Sequence, residues 1–250
     1  IVNEIIPVTF NNVDALPETD WQDLILNEAA PIQRYELSAS GGSENYSYYF
    51  GGSYFDQQGV IEKSDYQRLS LKLNNALQVT PFLKLGSDLS FSKEDKNNPP
   101  GIIAASYRAW PMSVPRNPDG SFAEVMGSGN PIASLEYSNS FSDRTRGVGN
   151  FSADLKLLKG LTFRSSYQLD WTFFENASFT PAFFVSPAQQ NETSDLSKNE
   201  GNNKVWIWEN TLRYSREMTN HRFDLLAGYT AQENNFESLT GRVEKLIRED

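Results

Sequence analysis

The fold is decided by residues 66–94, which read YQRLSLKLNNALQVTPFLKLGSDLSFSKE. Apolar side chains occupy every second position on both sides of a short turn at Thr80-Pro81, and polar side chains fill the positions between them. This period of two is typical of a β-strand with one apolar face and one polar face. The stretch therefore predicts an antiparallel hairpin with strands at 66–79 and 82–94.

The same alternation recurs on both sides of this hairpin and predicts six further strands, at 33–41, 45–56, 146–158, 161–174, 203–216 and 221–235. Most of these strands run to about 12–14 residues, whereas strands of soluble proteins are typically about 5–6 residues long. At about 3.3 Å per residue, a strand of about 13 residues tilted by about 40° climbs roughly 33 Å, which is enough to cross a membrane. We therefore predict an all-β fold, an antiparallel transmembrane β-barrel wall segment of about eight long strands.

The connections between the predicted strands alternate in length. Short turns are expected at 42–44, 80–81, 159–160 and 217–220, and Gly160 suits a tight hairpin because glycine accepts positive φ. Longer connections lie at 57–65, 95–145 and 175–202. Outer-membrane barrels show this asymmetry, with short periplasmic turns and longer extracellular loops. The longer connections are therefore expected outside the cell.

Five regions follow from this organisation. Residues 1–32 are expected to be an external loop with a short helix capped by Thr19 or Asp20. Residues 33–94 and 146–235 are each expected to form two hairpins of the barrel. The region 95–145 between them is expected to be a long extracellular loop, and 236–250 the start of a further extracellular loop.

The two faces of the strands predict two environments. Polar positions that we expect to face a hydrated lumen include Arg68, Lys72, Arg164 and Asp170. Aromatic residues near the strand ends are expected to mark the membrane–water interface, and they are Tyr46, Tyr54, Trp171, Trp206 and Trp208. The alternative interpretation is that these aromatic side chains fill the core of a soluble sheet.

The composition excludes several classes of function. The 250 residues carry a formal net charge of −10, which argues against a nucleic-acid-binding protein because such a protein needs a basic face. The chain has no Cys, so it can form no disulfide and no thiolate metal site. The carboxylates show no acid–base pairing, and the single His, His221, lies at a predicted turn. We therefore expect no catalytic residue, metal site or cofactor, and no enzyme.

The long loop 95–145 contains the best candidates for contact with a ligand or a partner protein. A loop of this length is more than a simple connector. Tyr107, Arg108 and Trp110 could stack on sugar rings or grip a peptide. The favoured alternative for Trp110 is that it anchors the loop by hydrophobic packing. The segment 117–120, NPDG, is expected to be a structural β-turn.

Several strings resemble the SusC/RagA family of TonB-dependent outer-membrane transporters of Bacteroidetes. They are TDWQD at 19–23, YELSASGGSE at 35–44, YYFGGSYFDQQGV at 48–60 and YQRLSLKLN at 66–74. LKLGS at 83–87 and SFS at 90–92 fit the next strand of the family, and NPDGSF at 117–122 and NPIA at 130–133 fit its long external loop. The resemblance is strongest over residues 19–135.

The resemblance implies a place and a role for the chain. It implies a segment of a plugged barrel of about 22 strands in the outer membrane of a Gram-negative cell. The implied role is energy-dependent uptake of a large nutrient, an oligosaccharide or a peptide, with a SusD-like surface lipoprotein and with TonB as partners. The plug domain and TonB box of the family have no counterpart in these residues, so both ends are interpreted as truncations and the chain as a fragment.

Two other functions remain open from the sequence alone. One is a passive porin or structural outer-membrane barrel, which would have neither plug nor TonB box. The other is a secreted all-β adhesin or carbohydrate-binding module, which would be soluble without detergent. Membrane lipid is an expected partner only of the barrel interpretations.

Overall fold

The computed structural model describes residues 17–246 and is dominated by long antiparallel strands. The strands are β1 (Ile32–Gly42), β2 (Tyr46–Gln58), β3 (Asp65–Thr80), β4 (Leu83–Asn97), β5 (Asn139–Leu158), β6 (Leu161–Thr180), β7 (Phe183–Ser186), β8 (Gln189–Asn191), β9 (Asp195–Met218) and β10 (His221–Glu244). The helical elements are a 3-10 helix (Asp23–Ile25), α1 (Ile103–Arg108) and α2 (Pro131–Tyr137).

Eight strands form one sheet in the order β1-β2-β3-β4-β5-β6-β9-β10. Each strand pairs antiparallel with its neighbour, and β7 and β8 form a separate small hairpin within the connection from β6 to β9. The sheet is not closed, so β1 and β10 are its edges within the described residues. The predicted all-β fold with eight long antiparallel strands is confirmed.

The connections lie at two different ends of the sheet. Two-residue or three-residue turns join β1 to β2, β3 to β4, β5 to β6 and β9 to β10 at what we call the turn end. Gly160, in the turn from β5 to β6, adopts a φ of 83°, as its predicted role in a tight hairpin requires. The connections at 59–64, 98–138 and 181–194 lie at the opposite end, which we call the loop end.

The strands extend further toward the loop end than the alternation predicted. β5 begins at Asn139 and β10 continues to Glu244, so the predicted boundaries of the loops at 95–145, 175–202 and 236–250 are wrong. Residues 236–244 are strand, and 247–250 lie outside the described residues. The reason is that the extensions mix polar residues with scattered apolar ones such as Phe141 and Leu239, so the backbone ladder continues where the regular alternation has ended.

The amino-terminal region contains a shorter helical element than predicted. Residues 1–16 lie outside the described residues, and 17–31 contain only the 3-10 helix before β1 begins. The Asp20 carboxylate accepts hydrogen bonds from the N–H groups of Gln22 and Asp23, both at 3.0 Å. The Thr19 hydroxyl instead donates to the Ser113 carbonyl at 2.8 Å. Asp20 is therefore the residue that caps this turn.

Strand register gathers the apolar positions of all eight strands on one side of the sheet. Directly paired residues of an antiparallel ladder point to the same side. One such row runs across Leu71, Phe91, Gly147 and Trp171, and the adjacent row on the other side runs across Ser70, Ser92, Arg146 and Thr172. We call the first side the apolar face and the second the polar face.

Successive turns are displaced along the ladder. Tyr46, the first residue of β2, pairs with Leu77, three residues before β3 ends at Thr80. Displacements of three and four residues follow at the next two turns, where Leu83 pairs with Leu155 and Leu161 pairs with Tyr214. A regular stagger of this kind is what tilted strands of a barrel wall require.

The described hydrophobic clusters lie at the loop end and not on either face of the sheet. Trp21 packs with Ala109 and Val125, and a second cluster brings Ile25 together with Ile102 and Leu135, with Ile132 packed against both. Residues 17–31 and the connection 98–138 therefore fold together into a small packed unit above the strands.

Candidate functional site

The polar face carries all four residues that were predicted to face a lumen. Arg68 and Lys72 lie on β3, and Arg164 and Asp170 lie on β6, each at a polar-face position of the ladder. They do not form one site. Arg68 and Lys72 line a groove across β1 to β5, whereas Arg164 lies near the turn end and forms an ion pair with Asp154 at 3.3 Å.

The groove is a concave depression of about 560 Å³ in the polar face. Its basic lining residues are Arg68, Lys72, Arg144 and Arg146, and its acidic ones are Glu36 and Glu94. These side chains give the groove a net charge of +2, although the whole chain carries −10. Five serines line the space between them, and they are Ser38, Ser53, Ser70, Ser90 and Ser92.

Asp170 holds one side of the groove in place. Its carboxylate accepts hydrogen bonds from the Nε and Nη2 of Arg146, at 3.0 and 2.5 Å. This two-point geometry fixes the plane of the guanidinium group. Because both side chains are partly hydrated, the pair adds little stability, on the order of 0–1 kcal/mol. Asp170 is thus a positioning residue beside the groove.

The apolar face carries all five aromatic residues that were predicted to mark a membrane interface. Tyr46 opens β2 at the turn end, where its hydroxyl donates to Asn75 Oδ1 at 2.9 Å. The prediction that Trp171, Trp206 and Trp208 lie near strand ends is wrong, because β6 and β9 continue well beyond them to Thr180 and Asp195. These residues lie near the middle of their strands.

The three tryptophans nevertheless lie at similar distances from the turn end, and Trp206 is the furthest, at twelve residues from the end of β9. Trp171 is ten residues from the start of β6, and Trp208 is ten residues from the end of β9. At about 3.3 Å per residue and a tilt of about 40°, ten residues climb roughly 25 Å, which is the height of the apolar band of an outer-membrane barrel. The indole N–H of Trp208 donates to Ser165 Oγ and that of Trp206 to Glu233 Oε2, both at 3.1 Å.

Beyond this height the apolar face becomes charged. One row of paired residues there consists of Asp95, Asp143, Glu175 and Glu200. Lys198 lies among them, with its Nζ 3.0 Å from Glu175 and 3.4 Å from Glu200. The same side of β6 therefore changes from Trp171 and Phe173 to a carboxylate within two residues. The continuous apolar band is therefore limited in height by this charged row, and the extensions above it mix polar residues with a few apolar ones such as Phe179 and Val243.

The packed unit at the loop end depends on Trp21. Its side chain is only 2% exposed, and its indole N–H donates to the Trp110 carbonyl at 3.0 Å. The Thr19 N–H donates to the Pro111 carbonyl at 2.8 Å, beside this contact. The TDWQD string is thus the anchor that ties residues 17–31 to the connection 98–138.

Asn130 joins a second part of the loop end. Its buried amide donates to the carbonyls of Pro115 and Ala123, and its Oδ1 accepts from the N–H groups of Ile132 and Ala133 at the start of α2. Gln189, on β8, accepts from the Asn130 N–H at 2.7 Å and donates to the Asn130 carbonyl at 2.9 Å. The small β7–β8 hairpin is thereby fastened to α2.

The predicted contact residues of the long loop do not lie together in a pocket. Tyr107 is 73% exposed near the end of α1, and Arg108 is exposed with its Nε donating to the Ala104 carbonyl at 3.1 Å. Trp110 is half-buried, and its carbonyl accepts the Trp21 indole. None of the three lines the groove of the polar face.

The segment 117–120 forms the expected turn. The Gly120 N–H donates to the Asn117 carbonyl at 2.9 Å, and Gly120 has a φ of 88°. The hydroxyl of Ser121 and its N–H both donate to Asp119, and these bonds lower the pKa of the carboxyl below its ordinary value. The turn is closed by its own hydrogen bonds, which fits a structural role.

Sequence reasoning missed Trp21, Asn130 and Gln189 as organising residues. Asn130 carried a signal, because Asn before Pro131 is the pattern of a helix N-cap followed by proline at the first helical position. Trp21 and Gln189 carried none that a local pattern can reveal, since their partners Trp110 and Asn130 lie 89 and 59 residues away.

Residues 17–246 bring together no group of three or more His, Cys, Asp or Glu side chains that could hold a metal ion. The helices among them are too short and too polar to span a bilayer.

Comparisons with known proteins identify relatives of the chain. No family model matches it. TonB-dependent receptor P26 from Formosa agariphila is 30% identical over 230 residues, which cover 89% of this chain and 23% of the relative. TonB-dependent receptor P3 from the same organism is 26% identical over 236 residues, with the same shares covered. The chain thus spans about a quarter of the length of these curated relatives.

Solved structures agree on the fold. A chain in the structure of the RagAB peptide transporter matches with a TM-score of 0.78 at 20% identity, covering 93% of this chain and 27% of that one. The RagAB peptide importer in its open-open state matches with a TM-score of 0.77 at the same identity. This second match covers 92% of this chain and 27% of the other. The chain is therefore a SusC/RagA-like segment of a TonB-dependent receptor, and it forms part of the wall of its β-barrel.

Proposed function

We propose that this wall belongs to an outer-membrane transporter that imports a large nutrient, an oligosaccharide or a peptide. The observation that carries the proposal is the contrast between the two faces of one staggered sheet. The apolar face is a band about 25 Å high that ends in charged residues, which suits the hydrocarbon of a bilayer. The polar face has a hydrated groove, which suits the lumen of a transport barrel.

In this proposal the loop end lies outside the cell and the turn end faces the periplasm. The connections 59–64, 98–138 and 181–194 are then extracellular, and Tyr46 lies at the periplasmic interface. Tyr54, Trp171, Trp206 and Trp208 lie at the extracellular interface, where amphipathic aromatic side chains are favoured. The charged extensions above them stand among the outer lipid headgroups and in the external water.

The partners belong to the same proposal. A SusD-like surface lipoprotein would cover the loop end, and TonB would act through a plug and TonB box elsewhere in the full protein. The relatives named as TonB-dependent receptors support the second partner, and the match to the RagAB peptide transporter supports transport of a large solute. The exposed aromatic rings of Tyr107 and Phe184 at the loop end support a contact surface there.

We propose contact with substrate or lipoprotein for Tyr107, Arg108 and Trp110, and the proposal is stronger for the two exposed residues than for Trp110. Tyr107 and Arg108 are exposed and can meet a partner directly, whereas the half-buried Trp110 lies beside the packed unit. A Tyr107→Ala variant of the full protein should weaken capture of the lipoprotein or uptake without loosening the loop. Unchanged capture and uptake in both the Tyr107→Ala and Trp110→Ala variants would contradict the contact role.

The test of transport uses cells that carry the full-length gene or a deletion of it. Growth on, and uptake of, a panel of oligosaccharides and peptides should fail for at least one large solute when the gene is deleted. A protonophore should abolish the same uptake in cells with the intact gene. Uptake that survives the protonophore would indicate a passive porin. Recovery of the protein in the soluble fraction without detergent would contradict both membrane functions.

A further inference from the structure

The groove in the polar face has a chemical character that distinguishes it from the rest of the chain. Its lining combines four basic side chains with small hydroxyl groups, on a chain that is otherwise strongly acidic. We propose that this groove binds the carboxylate or sulfate groups of an anionic oligosaccharide as it passes through the barrel. The proposal rests on the proposed transport function and narrows its substrate class.

The arrangement of the cations supports this ligand. Arg68 on β3 pairs with Glu94 on β4, and Glu94 in turn pairs with Arg144 on β5. Lys72 lies on the same face of β3, one polar-face position beyond Ser70. Glu94 offsets one charge of this group, Asp170 offsets that of Arg146, and Glu36 forms an ion pair with Arg34 outside the lining. Arg68, Lys72 and Arg144 form no ion pair within the described residues 17–246, and the buried Nε of Arg68 has no hydrogen-bond partner there.

The hydroxyl groups favour a sugar over a peptide. Ser53, Ser70 and Ser92 stand in one row across β2, β3 and β4, with Arg146 next in the same row. Such a row offers short donors and acceptors to ring hydroxyls, with a guanidinium at its end for an acidic substituent. The groove has no amide side chain in its lining with which to grip a peptide backbone.

The net positive charge of the groove also favours an anionic ligand. A cleft with a net positive charge, here +2 after Glu36 and Glu94 are counted, raises the local concentration of anionic ligands. Because the side chains remain hydrated, each contact contributes modestly, and several must act together. Removal of three cations should therefore weaken binding by about tenfold or more, and added salt should weaken the remaining attraction.

The experiment uses the purified full-length receptor and isothermal titration with four defined probes. They are hexagalacturonate, a chondroitin sulfate hexasaccharide, neutral maltohexaose and hexa-aspartate. The test variant carries Arg68→Gln, Lys72→Gln and Arg144→Gln. The matched control carries Lys84→Gln, Lys156→Gln and Lys159→Gln, which remove the same charge near the turn end. A third variant with Arg68→Lys, Lys72→Arg and Arg144→Lys keeps the charge and guards against misfolding.

We expect at least one charged oligosaccharide to bind at least about tenfold more tightly than maltohexaose. The test variant should lose about tenfold in affinity, while the control and the charge-conserving variant stay within about threefold. Equal affinity for maltohexaose, no binding of either charged oligosaccharide, or an unaffected test variant would overturn the proposal. Equal or tighter binding of hexa-aspartate would also overturn it, in favour of acidic peptides.

The outcome is separable from that of the transport proposal. If the protonophore-sensitive uptake is limited to neutral solutes, the transport proposal stands and the proposal of an anionic substrate is contradicted. If the charged oligosaccharides bind tightly but cells show no energised uptake, the anion-binding groove stands and the transport proposal is contradicted.

Discussion

The sheet and the packed unit at its loop end are stabilised by opposite means. The eight strands are joined by an almost continuous backbone ladder, while apolar side chains such as Leu37 and Leu225 remain largely exposed. The loop end has little regular structure, yet it contains buried residues such as Trp21 and Ile25. The difference shows that the described residues form hydrophobic clusters of their own only at the loop end. Elsewhere the apolar surface needs lipid, since exposed patches of this size are otherwise liable to aggregate.

The largest expected effect separates the two regions directly. Trp21→Ala removes a buried indole and its hydrogen bond to the Trp110 carbonyl, and should cost about 3–5 kcal/mol of local stability at the loop end. Limited proteolysis of the membrane-embedded receptor should then cut within 98–138 while the barrel remains intact. Tyr107→Ala, which truncates an exposed ring in the same region, should change the cutting little. Equal protection of 98–138 in both variants would show that Trp21 is no anchor.

A charge on the apolar face tests the other region. Leu89 lies six residues from the start of β4, near the middle of the apolar band, so Leu89→Arg should cost about 2–4 kcal/mol of folding free energy in lipid. Asn150→Arg places the same charge on the polar face, opposite Asp88, and should cost less than about 0.5 kcal/mol. Equilibrium unfolding in lipid vesicles measures both. If the two substitutions cost the same, the assignment of the faces fails.

A smaller effect is expected where the hairpin β7–β8 meets α2. Asn130→Ala removes a helix cap and two hydrogen bonds to the carbonyls of Pro115 and Ala123, and should cost the loop end about 1–3 kcal/mol. Hydrogen exchange of 115–137 and 183–191 should rise together, because Gln189 holds Asn130. Gln190→Ala, at the exposed neighbouring position, serves as the control. Faster exchange in β3 or β4 would mean that the two regions are not independent.

The smallest effect concerns the aromatic residues at the upper edge of the apolar band. Trp208→Phe removes the indole N–H that donates to Ser165 and should cost about 0.5–1.5 kcal/mol. Ser165→Ala removes the acceptor, so the double variant should cost less than the sum of the two single variants. Strict additivity in lipid vesicles would contradict a hydrogen bond between these side chains.

Much of the sheet was predictable, because each strand carries its own pattern. Alternation around Leu71 and Phe91 located the hairpins and assigned both faces, and the positive φ of Gly160 followed from the Lys159-Gly160 turn. The strand extensions were not predictable from that pattern. Above Phe173 the residues of β6 no longer alternate between apolar and polar, so periodicity in hydrophobicity ends while hydrogen bonding continues to Thr180.

The candidate site was predictable only in part. Arg68 and Lys72 were identified as lumen-facing because their position in β3 fixes their side of the sheet. Their neighbours Arg144 and Arg146 were missed, since Arg144 fell in the predicted loop and the register between β4 and β5 spans a connection of about forty residues. The core around Trp21 was missed for the same reason, because distance along the chain hides its partners.

The central claim is that one sheet faces lipid on one side and water on the other, up to a boundary just above Phe173. Spin labels placed singly along β6 of the full-length receptor in vesicles test it, and this segment has no Cys of its own to compete for labelling. Collision rates with oxygen should be high at 163, 167, 169, 171 and 173, and those with a water-soluble nickel chelate should be high at 164, 166, 168 and 172. From Glu175 onward the chelate should reach both sides. Uniform access to the chelate from 163 to 173, or an oxygen signal that continues unchanged to Thr180, would contradict the claim.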